Sequence, residues 1–226
     1  MNTVVVGSQW GDEGKGKVVD VFSAEADFVI RYQGGANAGH TLVVNGVKTV
    51  LHLVPSGVLH PATKCVIASG VVVDVEQMAS EIRALKVEGY LKDPAQLRIS
   101  DQATVILPYH RILDQAREAK AGNEKLGTTG KGIGPAYEER ASRKAILFGD
   151  IYNPKTLQAK IEGALDEKNF LIEKYYGLPP VKVSDMMDHM KKWAEELAPY
   201  RCSDTSMVIH KALKGGKKVL FEGAQG

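Results

Sequence analysis

The chain has 226 residues, of which 44% are hydrophobic, with 29 Lys and Arg against 27 Asp and Glu for a net charge of +2. This is the composition of a globular protein with enough length for a substantial core, and its interleaved charges leave no stripe suited to nucleic acid or a membrane surface. Cys65 and Cys202 are too few for a disulfide framework, no run approaches the ~20 apolar residues of a membrane span, and no basic-then-apolar leader opens the chain, so a reduced, cytoplasmic protein is expected.

Residues 3–6 form an apolar, strand-like run that enters a glycine-rich stretch at 7–17, and residues 16–26 carry Val18, Val19, Val21 and Phe22 at mixed helical spacing. Residues 27–32 read as a second strand, which makes the start β-α-β. A second glycine-rich connection, 33–41, leaves the end of that strand. Ligands of open α/β sheets bind at the carboxyl ends of strands, so the two loops are expected to face one crevice.

Alternation over 41–54 around Asn45-Gly46 predicts an antiparallel hairpin. A short buried strand follows at 64–68. Asp74 and Gln77 form a capping-box-like start to a helix reaching about Val87 and ended by Gly89. Residues 96–107 hold one or two short strands, and 109–121 a helix. The stretch 122–135, where Gly127, Gly130, Gly132 and Gly134 alternate with Thr128, Thr129 and Lys131, reads as loop throughout.

Beyond Asn153 the chain turns helical and charged, over 154–176, 184–197 and 203–214, and these are expected to be outer, solvated helices feeding a buried strand at 217–222. The expected architecture over 1–226 is a single α/β domain. It has a P-loop-NTPase-like central, mostly parallel sheet with flanking helices and an antiparallel hairpin. The closing Gly223-Ala224-Gln225-Gly226 opens a turn with no following element, which reads as a chain truncated at its C-terminus.

The stretch Gly7-Ser8-Gln9-Trp10-Gly11-Asp12-Glu13-Gly14-Lys15-Gly16-Lys17 combines four glycines, two lysines and a helix start, the ingredients of a polyphosphate cradle. It departs from the ordinary P-loop, because Gly16 follows Lys15 where a Ser or Thr should ligate Mg²⁺. Asp12 is then a replacement oxygen for the metal, or a base; a tight strand-to-helix turn needing glycine accounts for the same spacing. His40, between Gly39 and Thr41 at a strand end, is placed to protonate or bond a phosphoryl oxygen. Thr128, Thr129, Lys131 and Arg143 offer hydroxyls and cations that suit a monophosphate. His52, His60, His110, His189 and His210 read as structural or surface residues.

Taken as strings, residues 9–17, the segment Gly34-Gly35-Ala36-Asn37-Ala38-Gly39-His40-Thr41, residues 126–143 and residues 219–226 resemble the adenylosuccinate synthetase family, in the family's order and along the whole chain. The resemblance implies a GTP-dependent ligase of AMP biosynthesis that joins IMP and L-aspartate through a 6-phosphoryl-IMP intermediate, with Mg²⁺ as cofactor. It implies Asp12 as base at N1, His40 as acid, and Lys15 and Gln225 as further catalytic groups, with Gln225 close to O6.

By the same resemblance Gly11, Asp12, Glu13, Gly14, Lys15, Gly16, Lys17, His40 and Thr41 bind GTP. Asp12, Asn37, Ala38, Gly39, His40, Thr129, Arg143 and Gln225 bind IMP, and Asp12 and Gly39 hold the metal. Thr129 and Arg143 take the 5′-phosphate, Arg143 reaching across the interface of a homodimer. Lys131 stands where some members carry arginine, and no role depends on it. The family's guanine-recognising segment and aspartate-binding loop lie beyond Gly226. A P-loop GTPase and a non-catalytic nucleotide-binding fragment are the alternatives; Gly16 speaks against the first.

Overall fold

The computed structural model describes residues 2–8, 15–37, 39–44 and 47–224, with the backbone alone for 40–44 and 47–48. Expectations placed on 9–14, on Ala38, on the Asn45-Gly46 turn and on Gln225 lie outside the described residues. Strand β1 (Thr3–Val5), helix α1 (Lys15–Ser23) and strand β2 (Phe28–Arg31) give the β-α-β start. The hairpin follows as β3 (His40–Val44) and β4 (Val47–Leu51), antiparallel in the register His40 to Leu51. Next come β5 (Lys64–Ile67), the two-residue β6 (Val72–Val73) and α2 (Val75–Val87).

Helix α2 begins where sequence chemistry requires: the Asp74 carboxylate accepts the Gln77 amide at 3.2 Å, and Gly89, at φ +87°, turns the chain away at the other end. Then follow β7 (Leu97–Ser100), β8 (Thr104–Val105), α3 (Pro108–Ala121) and α4 (Ile133–Ala141). Helix α5 (Pro154–Phe170) runs on into a π-turn at Leu171–Tyr175, and α6 (Val183–Leu197), β9 (Arg201–Cys202), α7 (Thr205–Lys214) and β10 (Val219–Glu222) complete the order.

Six strands form one sheet in the order β1-β10-β2-β5-β7-β9, and every pair in it is parallel. Parallel strands covered on both faces need apolar side chains in both directions, which is why β2 and β5 are nearly continuous Val, Ile and Phe. On one face Val29 and Leu220 pack against Val19 of α1, and farther along Cys65, Ile67, Leu97 and Ile99 meet Met78, Ile82 and Leu85 of α2. On the other face Ile30, Val66 and Val219 pack under Ala212 of α7. The fold class expected from the sequence is the one observed.

Two expectations need correction. The stretch 122–135 is not loop throughout: a 3-10 turn occupies Gly122–Glu124, and α4 has begun by Ile133. Gly132 starts that helix from the left-handed region, φ +78°, and Pro135 sits in its first turn, where a missing N–H costs nothing. The charged helices are not merely outer and solvated either. Leu157, Ile161 and Leu165 of α5 and Met186, Met190, Trp193 and Leu197 of α6 are buried in the largest core cluster, so only their outer faces meet water.

Candidate functional site

Three of the four motif segments leave the sheet from adjacent strands. Strand β1 opens into the stretch leading to 9–14, β2 into 32–39 and β10 into 223–226, and the order β1-β10-β2 sets these exits side by side at one edge of the sheet. The ends of β1 and β2 each touch the β10 exit. The Gly223 amide donates to the Val5 carbonyl at 2.9 Å, and a Cβ on Gly223 would fall 2.6 Å from that oxygen. A Cβ on Gly34, itself at φ +85°, would meet the Ala224 Cβ at 2.5 Å. Glycine is required at both positions by closeness.

Beneath the loops lies a buried charge network that the sequence does not announce. Arg31, at the carboxyl end of β2, donates to the Gly35 carbonyl at 2.6 Å and to the His52 carbonyl, fixing the first turn of the second loop to the end of the hairpin. Burial pushes its guanidinium below the ordinary arginine range, while Glu222 and Glu81 oppose that shift. Glu222 accepts the Ser56 amide at 3.0 Å, and Glu81 accepts the amides of Leu53 and Val54, each at 3.0 Å from its Oε2. A charged residue inside an apolar strand is the signal that could have singled out Arg31.

The fourth motif segment docks onto the second. Lys131 Nζ reaches the Ala36 carbonyl at 2.7 Å, and the Tyr137 hydroxyl accepts the Gly34 amide at 2.7 Å while donating to the Gly70 carbonyl at 2.9 Å. A Cβ on Gly35 would lie 2.4 Å from Ile133 Cδ1.

Helix α3 holds this segment in shape. The Asp114 carboxylate accepts the Thr128 hydroxyl and the Gly132 amide, Gln115 Nε2 donates to the Gly130 carbonyl at 3.2 Å, and Glu118 accepts the amides of Leu126 and Gly127. Positions 114, 115 and 118 share one helix face. With Thr128 committed to Asp114, the exposed hydroxyl of Thr129 has no protein partner among the described residues.

Asn37 Oδ1 is buried with no hydrogen-bond partner among the described residues, which suits an acceptor directed at a ligand. Lys15 is buried as the first residue of α1, and Lys17 is exposed on the same turn. His40 and Thr41 open β3, paired with Leu51 and Val50. Gly39 precedes them, and a Cβ there would come 3.0 Å from the His52 ring. Arg143 follows the C-cap Ser142, exposed and left-handed at φ +62°. Thr129 and Arg143 thus stand beyond opposite ends of α4, a nine-residue helix about 14 Å long.

His110, expected to be structural or on the surface, is buried and structural. Its Nδ1 accepts the Leu107 amide at 2.9 Å, and its Nε2 lies 3.0 Å from Glu139, which also accepts the Tyr109 hydroxyl at 2.9 Å. Burial opposes ionisation of Glu139, but His110, Tyr109 and Lys168 together outweigh it and hold the carboxyl below its ordinary range. The pair ties α3 to α4 at both ends of the segment carrying Thr129.

A sequence model of the adenylosuccinate synthetase family matches residues 4–226. The chain belongs to the adenylosuccinate synthetase family. It is 65% identical to the adenylosuccinate synthetase of Bdellovibrio bacteriovorus over 223 residues, covering 99% of this chain and 52% of that protein. To the Geobacter metallireducens adenylosuccinate synthetase it is 51% identical over 225 residues, covering 100% and 52%.

Among solved structures, the fully ligated adenylosuccinate synthetase of Plasmodium falciparum superposes with a TM-score of 0.87 at 32% identity, covering 100% of this chain and 51% of that one. A succinoaminodeoxyadenylate synthetase of cyanophage S-2L superposes at 0.60 with 20% identity, covering 99% and 51%, and shares the fold. The chain spans about half the length of the adenylosuccinate synthetases it matches. No helix among the described residues is long and apolar enough to cross a membrane.

Proposed function

We propose that this chain carries the IMP side and the phosphate cradle of a GTP-dependent ligase that makes adenylosuccinate from IMP and L-aspartate. The observation that supports it most is the convergence of the β1, β2 and β10 exits at one edge of the sheet, with residues 131–137 docked on the 34–36 turn and with Asn37 Oδ1 and the Thr129 hydroxyl left without protein partners among the described residues. The relatives are adenylosuccinate synthetases, which gives the product of this reading. In this reading, residues 1–226 act as one α/β unit in the cytoplasm.

The chemistry follows from a poor leaving group. The purine O6 belongs to an amide-like carbonyl and departs badly as oxide, so it is first phosphorylated. Asp12 removes the N1 proton as O6 attacks the γ-phosphorus of GTP: an O6–P bond forms, the bond to the bridging oxygen breaks, and GDP leaves. Lys15 and His40 donate to the oxygens on which charge develops. Gln225 fits the amide edge of the purine, and the L-aspartate amine then adds at C6 and expels phosphate.

Thr129 and, from the partner subunit of a homodimer, the arginine at 143 hold the 5′-phosphate by charge-assisted bonds. Separation of these two residues by the length of α4 supports a contribution from a second copy. The Asp12 carboxylate and the Gly39 carbonyl are hard oxygen donors that suit Mg²⁺, and the ion, when bound, neutralises charge on the triphosphate.

General-base assistance is typically worth about 10²- to 10⁴-fold, so Asp12→Asn should leave IMP binding intact and nearly abolish turnover. Phosphate release from GTP that depends on both IMP and aspartate tests the reading as a whole.

A further inference from the structure

Helix α3 has two apolar faces. Tyr109 and Leu113 enter the main core, while Pro108, Ile112, Ala116 and Ala119, three or four residues apart, line a cleft of about 740 Å³ shared with α6 and residues 178–181. That volume lies within the roughly 300–1,000 Å³ of small-molecule sites. None of the residues lining it belongs to the four motif segments.

The wall at 178–181 is braced. The Leu178 amide donates to the Ile172 carbonyl at 2.9 Å, and the Asn169 side chain exchanges two hydrogen bonds with the Val181 backbone, each 2.8 Å. Pro179 and Pro180 between them have a fixed φ, so the wall is rigid before any ligand arrives. From α6 the cleft receives Met186, whose thioether is a favourable neighbour for an aromatic ring.

Three polar side chains line it, Gln115, Asp185 and His189, and they set what it can hold. His189 makes no hydrogen bond to another described residue. Burial pushes its pKa down, Glu76 and Asp74 oppose the fall, and Arg111 and Lys192 add to it, so the ring is neutral at pH 7 and can accept from a donor. Asp185 is the only charged side chain of the lining. It accepts the Ser184 hydroxyl at 3.1 Å and forms no ion pair among the described residues, so the cleft favours a cation over a phosphate. Gln115 donates from the same cleft to the Gly130 carbonyl at 3.2 Å, which links it to the 126–132 segment.

We propose that this cleft binds an aromatic amine, with its ring against Ile112, Pro180 and Met186, its ammonium at Asp185 and a ring N–H or O–H at His189, and that Gln115 passes occupancy to residues 126–132. The ligand is an effector, distinct from the molecules that the motif segments would hold. The inference does not rest on the ligase reading.

Calorimetric titration with tryptamine, indole-3-acetate and butylamine tests it. Tryptamine is expected to saturate a single site with a dissociation constant of about 1 mM or tighter. Indole-3-acetate keeps the ring but reverses the charge, and butylamine keeps the charge without the ring; each should bind at least about tenfold more weakly. Asp185→Asn should weaken tryptamine about three- to fivefold, and Ala119→Trp, which fills the cleft from an exposed position, should abolish its binding. Hydrogen exchange at 126–132 should change about threefold or more when tryptamine saturates, and Gln115→Ala should keep the binding and lose that response.

Equal affinity for tryptamine and indole-3-acetate overturns the proposal, as does tryptamine binding that neither Asp185→Asn nor Ala119→Trp alters. Absence of saturable binding to protein that melts cooperatively overturns it too. Unchanged exchange at 126–132 in the tryptamine-saturated protein would remove the link through Gln115.

Discussion

The Asp114 carboxylate accepts the Thr128 hydroxyl at 2.9 Å with one oxygen and the Gly132 amide at 2.8 Å with the other. This buried acid therefore shapes the 128–132 segment and decides which threonine hydroxyl is left without a protein partner among the described residues. Asp114→Ala is expected to lower stability by about 1–3 kcal/mol, since two donors lose a charged acceptor, and to weaken IMP binding about tenfold. Denaturant unfolding and calorimetric titration with IMP check it. Asp114→Asn, which keeps one acceptor oxygen, should recover part of both losses.

Arg143 occupies the left-handed position that glycine normally takes after a helix. Arg143→Gly should raise stability by roughly 1 kcal/mol while IMP affinity falls by tenfold or more, and Arg143→Ala should lose the affinity without the gain. Equal melting behaviour of the two variants would contradict a strained native backbone at this position.

The Tyr137 hydroxyl bridges Gly34 and Gly70 across 103 and 67 positions of sequence. Tyr137→Phe leaves a Gly34 amide without its acceptor, at a cost of about 1–3 kcal/mol. Faster hydrogen exchange confined to the 33–37 loop and its neighbours is expected. Global destabilisation with no local change in exchange would show that the hydroxyl does not position the loop.

Glu139 sets an acid limit. Burial alone would raise its pKa, but His110, Tyr109 and Lys168 lower it below the ordinary 4.5. A carboxyl whose folded pKa is depressed contributes stability that is present above its unfolded value and lost as pH falls through the folded one. Stability should thus decline below pH 4.5, and Glu139→Gln should be less stable at neutral pH with a shallower acid slope. Chemical unfolding between pH 3 and 7 reads both, the pH window being roughly that of carboxylate titration.

Features with local causes were legible in the sequence. Strand apolarity, the Asp74 cap, the Gly89 stop and the hairpin pattern are each set within a few residues, and each is where its chemistry placed it. Helix α4 was not, because its first residues, Ile133-Gly134-Pro135, carry loop composition and only the docking of Ile133 and Tyr137 on the 34–35 turn makes them helical. The inner faces of α5 and α6 were obscured by the charge of their outer faces.

The site divides the same way. Its strings were readable, but Arg31, Asp114 and Tyr137 act through partners in other segments, Tyr137 at a separation of 103 residues, and no spacing rule connects them.

The most direct test is phosphate release from GTP by this chain fused to the second half of the Bdellovibrio relative, measured with IMP and aspartate each present or omitted. The expected result is release that requires both and is nearly abolished by Asp12→Asn. Release from GTP alone at the same rate, indifferent to IMP and aspartate, would contradict it.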